Sequence, residues 1–297
     1  MSHYTIRDLE KLSGIKAHTL RIWEKRYDLL KPCRTQTNIR YYTNTDLKRI
    51  LNIALLNRNG YKISRISGMT EEEISRKVAE ITNDQIDSGI NIDNLVIAAT
   101  ELDGVQFEKI INTSVRKSGF EKTVLTVIYP FMKKIGILWQ TGAISPAQEH
   151  FVTNLIRKKM ILAIDGIHEN YHIAAKQFLL FLPEGEWHEL GLLFYHYLIK
   201  KAGHQVIYLG QSVPLSTIKS TLNISGCDYL VTSISTGITG MNNYEYLKKL
   251  SSGFSNKIII FSVFEGGLEE KKLPPNFLKI ENSSDFNDFL HGISIAS

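Results

Sequence analysis

The stretch that decides the N-terminal fold spans residues 4–27 and reads YTIRDLEKLSGIKAHTLRIWEKRY. Thr5 is placed to cap a helix, and Asp8 lies three positions later, which is the spacing of a capping box. The Ser13-Gly14 pair predicts the end of this helix, because glycine takes the left-handed conformation at a helix terminus without steric cost. A second helix follows at once over residues 17–26. Two short helices joined by such a turn predict a helix-turn-helix.

Outward from this pair, the sequence predicts the rest of a small domain over residues 1–76. Pro32 breaks the chain, and residues 39–42 are typical of one strand of a hairpin wing. A third helix is expected from after Asn44 to before Gly60. A fourth opens at Thr70 with Glu73 as its capping partner. The pattern indicates a winged helix-turn-helix.

Charge is distributed unevenly along the chain. Residues 1–66 hold 14 Lys and Arg against 5 Asp and Glu, whereas the remaining residues hold 21 against 25. A basic head on a mildly acidic body favours a polyanionic partner for the head alone. A solvated surface of uneven charge would give the same count.

Two further domains are expected behind the head. Residues 84–170 show apolar side chains at helical spacing, which predicts a four-helix bundle. Residues 172–297 alternate strands with helices, and several strands are continuous apolar runs, which predicts a Rossmann-like, doubly wound parallel sheet. The strands are expected at residues 177–182, 205–209, 229–233, 258–262 and 277–280, and the helices at 187–200, 215–223, 244–250 and 284–292.

The second helix and the wing carry the candidate DNA contacts. The start of a recognition helix points into the major groove, where Arg reads guanine, and Lys or Arg also neutralises phosphate. Leu20 and Trp23 are assigned instead to the core of the head. The predicted contacts are His18, Thr19, Arg21, Lys25 and Arg26 on or beside the helix, and Arg40, Tyr41 and Tyr42 on the wing. For His18, a structural or phosphate-binding role is preferred to base reading.

These residues resemble the MerR family of transcription regulators. The resemblance covers about 70 residues and is carried by YTI at 4–6, LRIWEKRY at 20–27, LLKP at 29–32 and RYY at 40–42. It implies a homodimer on a pseudo-palindromic promoter site in double-stranded DNA. Many members continue into a long dimerising helix. Here only a short helix near residues 71–81 follows, so dimer contacts are expected elsewhere in the chain.

A histidine with metal-binding character follows the first predicted strand of the rear domain. His188 can coordinate a metal through one ring nitrogen, and the carboxylate of Glu186 can hold the other N–H. Gly191 leaves space for a bulky group to approach the backbone. The carboxyl end of a strand is where open α/β sheets bind ligands. Alternatively, His188 is an ordinary residue at the start of a helix with acidic neighbours.

Small residues follow two other strands of the same domain, and they would leave a channel into the sheet. Together with E-x-H-x-x-G they resemble the cobalamin-binding module of methionine synthase and of the CarH/LitR light-dependent regulators. The resemblance implies that His188 is the lower cobalt ligand and that Glu186 is its hydrogen-bond partner. It also implies that the displaced nucleotide tail of cobalamin is buried along Ser233, Ser235, Gly266 and Gly267.

The bundle carries a second signature of those regulators, W-x9-E-H, formed by Trp139, Glu149 and His150. The resemblance implies that these side chains cover the upper face of the cobalamin around its adenosyl group. An indole there would exclude water from the cobalt–carbon bond, and the polar pair could hydrogen-bond the adenosyl group. The alternatives are a bundle core residue for Trp139 and a solvated helix face for the pair. Gln140 stands where the best-known photosensors have a histidine, which puts a bis-histidine photoproduct in doubt.

The sequence therefore predicts a MerR-type repressor, not an enzyme, that binds adenosylcobalamin between the bundle and the α/β domain. Oligomerisation, as a dimer or tetramer, and release by light are implied by the resemblance, as are carotenoid or other photoprotective target genes. Two alternatives stay open, namely a cobalamin-free platform for an antirepressor protein and a cobalamin-dependent methyltransferase component. No apolar run approaches the roughly 18 residues that span a membrane, and two cysteines are too few for a disulfide framework, so the nucleoid in the cytoplasm is the expected location.

Overall fold

The structure, a computed structural model, describes residues 4–35, 38–84, 88–140, 144–168, 175–234, 243–254, 257–261, 274–280 and 282–295. The chain divides into two compact units, residues 1–155 and 156–297. The predicted division into three domains stays a prediction. No helix among these residues is long and apolar enough to cross a membrane.

The head contains the predicted helix-turn-helix and wing. Thr5 and Asp8 form the capping box in both directions, and Gly14 takes the left-handed conformation that ends the first helix. A one-turn helix, too short to leave a periodic pattern, was not predicted. The elements are α1 (Ile6–Ser13), α2 (Ala17–Tyr27), β1 (Cys33–Arg34), β2 (Arg40–Tyr41), α3 (Asn44–Arg58), the unpredicted α4 (Ile63–Ile66) and α5 (Glu71–Asp84).

Four helical segments follow, as expected for the bundle. Its core includes an edge-to-face contact between Phe107 and Phe131, whose ring centroids are 5.5 Å apart. The third segment contains a π-helical turn that periodicity did not predict, and this turn shifts the faces of the residues after it relative to those before. The segments are α6 (Ser88–Glu101), α7 (Gly104–Ser118), the continuous run of α8 (Phe120–Thr123), π-turn (Val124–Ile128) and α9 (Tyr129–Gln140), and α10 (Pro146–Asp165).

A buried carboxylate joins the head to the bundle within the first unit. Asp93 of α6 accepts hydrogen bonds from Lys134 of α9, at 2.6 Å, and from Arg58 of α3. Asp93 is almost fully buried. Its two cationic partners compensate for the desolvation of the carboxylate, and removing either would leave a poorly paired buried charge.

The second unit is a five-stranded parallel sheet with helices. All five predicted strands are present. The strand predicted at 205–209 extends to Val213 because Gly210 and Ser212 take positive φ values and let it continue past irregular pairing. The elements are β3 (Gln177–Pro183), α11 (Leu190–Lys201), β4 (Gln205–Val213), α12 (Leu215–Ser225), β5 (Tyr229–Ser233), α13 (Asn243–Ser252), β6 (Lys257–Phe261), β7 (Phe277–Ile280) and α14 (Ser283–Ile295).

The strand order places a candidate ligand site without reference to any side chain. The sheet runs β4-β3-β5-β6-β7, so the connections from β3 and from β5 leave in opposite directions. Open α/β sheets bind ligands outside the carboxyl ends of the strands at such a switch point. The loops after β3 and β5 therefore border the expected site.

Candidate functional site

The loop after β3 presents a histidine oriented by a buried carboxylate. Glu186 is 3% exposed. Its Oε1 accepts the backbone N–H groups of Trp187 and His188, both at 3.0 Å, and lies 2.6 Å from Nδ1 of the His188 ring. The His188 side chain is 68% exposed. A carboxylate at Nδ1 stabilises the tautomer in which Nε2 carries the lone pair, so Nε2 is the nitrogen suited to a metal.

This geometry corrects the predicted start of the following helix. The sequence predicts a helix from residue 187, whereas α11 begins at Leu190. The Glu186 carboxylate explains the difference, since it binds the backbone N–H groups of the next two residues and holds them in a turn. His188 therefore projects from a loop, and its interpretation as an ordinary helix residue is wrong. Gly191 lies in the first turn of α11.

The loop is also anchored through the residue after the histidine, which the sequence analysis missed. Glu189 is buried, and Arg157 of α10 and Tyr208 of β4 each bind one oxygen of its carboxylate. The Tyr208 hydroxyl donates at 2.8 Å. The partners are 32 and 19 residues away along the chain, so no local pattern could have identified them.

The end of β5 and helix α13 carry buried hydroxyl groups. Ser233, at the strand's last position, is buried as a channel residue would be. Within the part of the chain that the structure describes, the hydroxyls of Thr232 and Tyr246 are buried without a hydrogen-bond partner. Such groups are costly unless something satisfies them. Ser235, Gly266 and Gly267 lie outside the described residues.

A corrinoid cofactor brings most of the cobalt ligands in its own ring. The protein would need to supply one neutral imidazole nitrogen to the metal. His188 with Glu186 provides such a donor, and Ser233 puts a small side chain at the end of β5, as a tail channel would need. The residues present therefore fit cobalamin.

The second group of candidate residues lies on the bundle. Trp139, near the end of α9, is 55% exposed, so its interpretation as a bundle core residue is wrong. Glu149 and His150 lie in the first turns of α10, where Nδ1 of the histidine is 2.7 Å from the carboxylate. The other carboxylate oxygen accepts the hydroxyl of Thr153 at 2.7 Å. Glu149 and His150 therefore pair with each other. This contact agrees both with a role in binding the adenosyl group and with an ordinary solvated helix face.

The predicted recognition helix has a polar outer face. Its start and outer side expose His18, Arg21, Lys25 and Arg26, while Thr19 is half-buried. Leu20 and Trp23 belong to the core of the head, as predicted. Ile22 is also exposed on this helix, and it was missed because an apolar residue next to Trp23 looked like core.

The wing requires one correction. Tyr42 is 0% exposed, its backbone pairs with Tyr4, and its hydroxyl donates to Glu24 at 3.1 Å. The prediction that Tyr42 contacts DNA is therefore wrong, because adjacent residues of an extended strand face opposite sides and here Tyr41 has the outward position. Burial raises the pKa of Tyr42, which keeps it a hydrogen-bond donor. Arg40 is exposed and pairs with Glu24 at 3.3 Å.

Comparisons with known proteins agree with this division of the chain. Residues 4–73 match the family model of the MerR HTH family regulatory protein, and residues 92–163 match that of the B12 binding domain. The transcriptional repressor CarH of Myxococcus xanthus is 26% identical over 217 residues, which are 71% of this chain and 72% of that protein. The repressor CarA of the same organism is 24% identical over 218 residues, 72% of this chain and 70% of that one.

A solved structure supports the fold. The monomethylamine corrinoid protein of Methanosarcina barkeri superposes with a TM-score of 0.56 at 14% identity and covers 70% of this chain and 100% of its own. At that identity the likeness shows the fold alone. The two family matches and the two repressors together show that the chain is a MerR-type transcription regulator with a B12-binding domain, homologous to CarH and CarA.

Proposed function

We propose that this protein is a repressor whose binding to DNA is controlled by adenosylcobalamin and light. The observation that carries the proposal is the Glu186–His188 pair at the switch point of the sheet, in a chain that also has a MerR-type head. The relatives named as repressors support a regulator rather than an enzyme.

Different residues of the chain would bind different parts of the cofactor. His188 would hold the cobalt through Nε2, and Glu186 would fix the tautomer and the ring orientation. Ser233, with Ser235, Gly266 and Gly267, accommodates the nucleotide tail. When bound, adenosylcobalamin supplies a cobalt–carbon bond that light breaks.

Trp139 would exclude water from that bond, and Glu149 with His150 would hydrogen-bond the adenosyl group. Trp139 and His150 are exposed and Glu149 is partly exposed, which supports this role, since these side chains are accessible for contact. Gln140 replaces the histidine of the resembling photosensors. Because an amide is a poor cobalt ligand, a weaker or reversible photoproduct is expected.

Control of DNA binding follows from assembly. An oligomer brings several heads to one operator and raises avidity without new base contacts. Adenosylcobalamin must then bind the assembled form more tightly than the separate chains. The heads bind through the exposed face of α2, with Arg21, Lys25 and Arg26, and through Arg40 on the wing, at genes of the carotenoid or photoprotective type.

Gel filtration of the full chain with adenosylcobalamin, in the dark and after green light, tests this function. A larger species that retains operator DNA is expected in the dark, and smaller species that release it after illumination. Methylcobalamin is the matched control and should assemble the chain poorly. Equal elution in all conditions, with no cobalamin absorbance in the protein peak, would exclude the proposal.

A second candidate keeps the DNA-binding head and makes the rear units a platform for an antirepressor protein, without cobalamin. Exposed indoles at Trp139 and Trp187 favour it, because tryptophan is enriched at protein interfaces as well as around ligands. The same gel filtration separates the two, since this candidate predicts no cobalamin in the peak.

A further inference from the structure

Two chain segments outside the loop hold Glu189, the residue that directly follows the proposed cobalt ligand. Arg157 of α10 pairs with Oε1 and the Tyr208 hydroxyl of β4 donates to Oε2, so both carboxylate oxygens are used. Their contact raises the pKa of the Arg157 guanidinium. Burial, followed by the hydrogen bond to Glu189, raises the pKa of Tyr208, which therefore stays protonated as a donor.

The irregular end of β4 holds the other half of the loop. The Gln211 side-chain amide donates to the backbone oxygen of Trp187 at 2.6 Å. The backbone N–H of Ser212 donates to the oxygen of Glu186 at 3.2 Å, and its hydroxyl accepts the N–H of Gly185 at 3.1 Å. Ser212 makes these bonds at a φ of +52°, a conformation that costs free energy outside glycine. The strain indicates that the surrounding bonds over-determine the loop.

From these contacts we propose that Glu189, held by Arg157 and Tyr208, is a positioning residue that sets the direction in which His188 presents Nε2. The inference rests on the proposed cobalamin function. Glu186 fixes the ring relative to the loop, whereas Glu189 fixes the loop relative to the sheet and α10. An axial ligand needs both, because a correctly turned ring on a mobile loop must be ordered on binding and binds more weakly.

The test uses cob(II)alamin bound to the full chain labelled with ¹⁵N-histidine. Electron paramagnetic resonance then distinguishes a histidine nitrogen, a nucleotide-base nitrogen and water on cobalt, and the signal is followed as the pH is lowered. Protons compete with cobalt for Nε2, so a tenfold weaker bond raises the pH of ligand loss by about one unit. We expect this shift, with about tenfold weaker cobalamin binding, in Glu189→Gln, and a smaller one in the same direction in Tyr208→Phe.

Glu184→Gln is the matched control, because Glu184 is an exposed carboxylate in the same loop. A merely structural role for Glu189 would lower the melting temperature of the ligand-free chain and leave the pH of ligand loss at the control value. That outcome would overturn the inference. If Glu189→Gln does not fold, Tyr208→Phe decides, since it removes one hydroxyl only.

His188→Ala separates this inference from the function on which it rests. A histidine signal that persists in His188→Ala would overturn the proposed ligand itself. A signal that disappears there, while Glu189→Gln and Tyr208→Phe match Glu184→Gln, would leave the ligand in place and overturn the positioning role alone.

Discussion

The loop after β3 and the exposed face of the bundle carry two groups of candidate residues, and they differ in how firmly they are held. Around His188, a buried carboxylate and bonds from β4 and α10 fix the loop. On the bundle, Trp139 presents an exposed indole, and Glu149 and His150 bond to each other and to the next turn of their helix. The histidine of the loop is preorganised by contacts from other segments of the chain, whereas the bonds of Glu149 and His150 stay within their own helix. Ligand affinity should therefore depend on the loop, and ligand discrimination on the bundle.

The largest effect is expected from His188→Ala. Loss of a preorganised axial nitrogen should weaken cobalamin binding by about 100-fold, and the absorbance should become that of base-on or water-ligated cobalamin. Equilibrium titration followed by absorbance measures both. Unchanged affinity and spectrum would show that the ordered loop serves another purpose.

Glu186→Gln should have the next largest effect. A glutamine keeps the size of the side chain but carries no charge, so it stabilises the ligating form of the imidazole less well. We expect about tenfold weaker binding, measured by the same titration, with Glu184→Gln unchanged. A loss as large as that of His188→Ala would contradict this, since it would mean that a neutral amide holds neither the turn nor the ring.

Trp139→Ala should leave histidine ligation intact and reduce selectivity. An indole packs against a flat adenosyl group better than against a methyl group, so the preference of the dark oligomer for adenosylcobalamin over methylcobalamin should fall several-fold. Light scattering with each cobalamin gives the preference. Equal assembly by wild type and variant with both ligands would remove the bundle face from the site and favour the antirepressor platform.

The smallest expected effect is a loss of folding stability in acid, caused by His196. His196 stacks on Tyr208 at 5.2 Å, and burial, with Lys200 nearby, lowers its pKa from 6.5 to about 4. As the pH drops from 6.5 towards 4, His196 becomes protonated in the unfolded chain and stays neutral in the folded chain. The free energy of unfolding therefore falls over this range. In His196→Phe, the fall in the free energy of unfolding should be smaller by about 1 kcal/mol. This value allows for solvent screening, because the ring is partly exposed. Urea unfolding at pH 5 and pH 7.5 measures the difference, and an equal loss in both proteins would contradict it.

Local patterns predicted the framework well because local physics sets it. β3 is an apolar run, buried along nearly its whole length as in the interior of a sheet, and the Thr5–Asp8 capping box marks its helix unaided. Departures arise where a side chain acts against the pattern. Glu186 delays α11, and Tyr42 faces inwards to meet Glu24.

The candidate site divides in the same way. Glu186 and His188 are two residues apart, so their pairing could be predicted from spacing. Glu189 is bound by Arg157 and Tyr208, which lie far from it along the chain. These contacts depend on the tertiary fold, so residue spacing could not predict them.

The Asp93 junction has a consequence for the operator. Arg58 of the head and Lys134 of the bundle share one buried carboxylate. The head is therefore held against the bundle and is not joined to it only through a flexible linker. The distance between two heads is then set by the protein assembly that carries them, and slack in a linker cannot absorb an altered half-site spacing. Inserting half a helical turn of DNA, about 5 base pairs, between half-sites would turn one of them to the opposite face of the duplex. Tolerance of the operator to such insertions thus reports how rigidly the head is held to the bundle, by the Asp93 contacts and by the ion pair between Lys48 of α3 and Glu101 of α6.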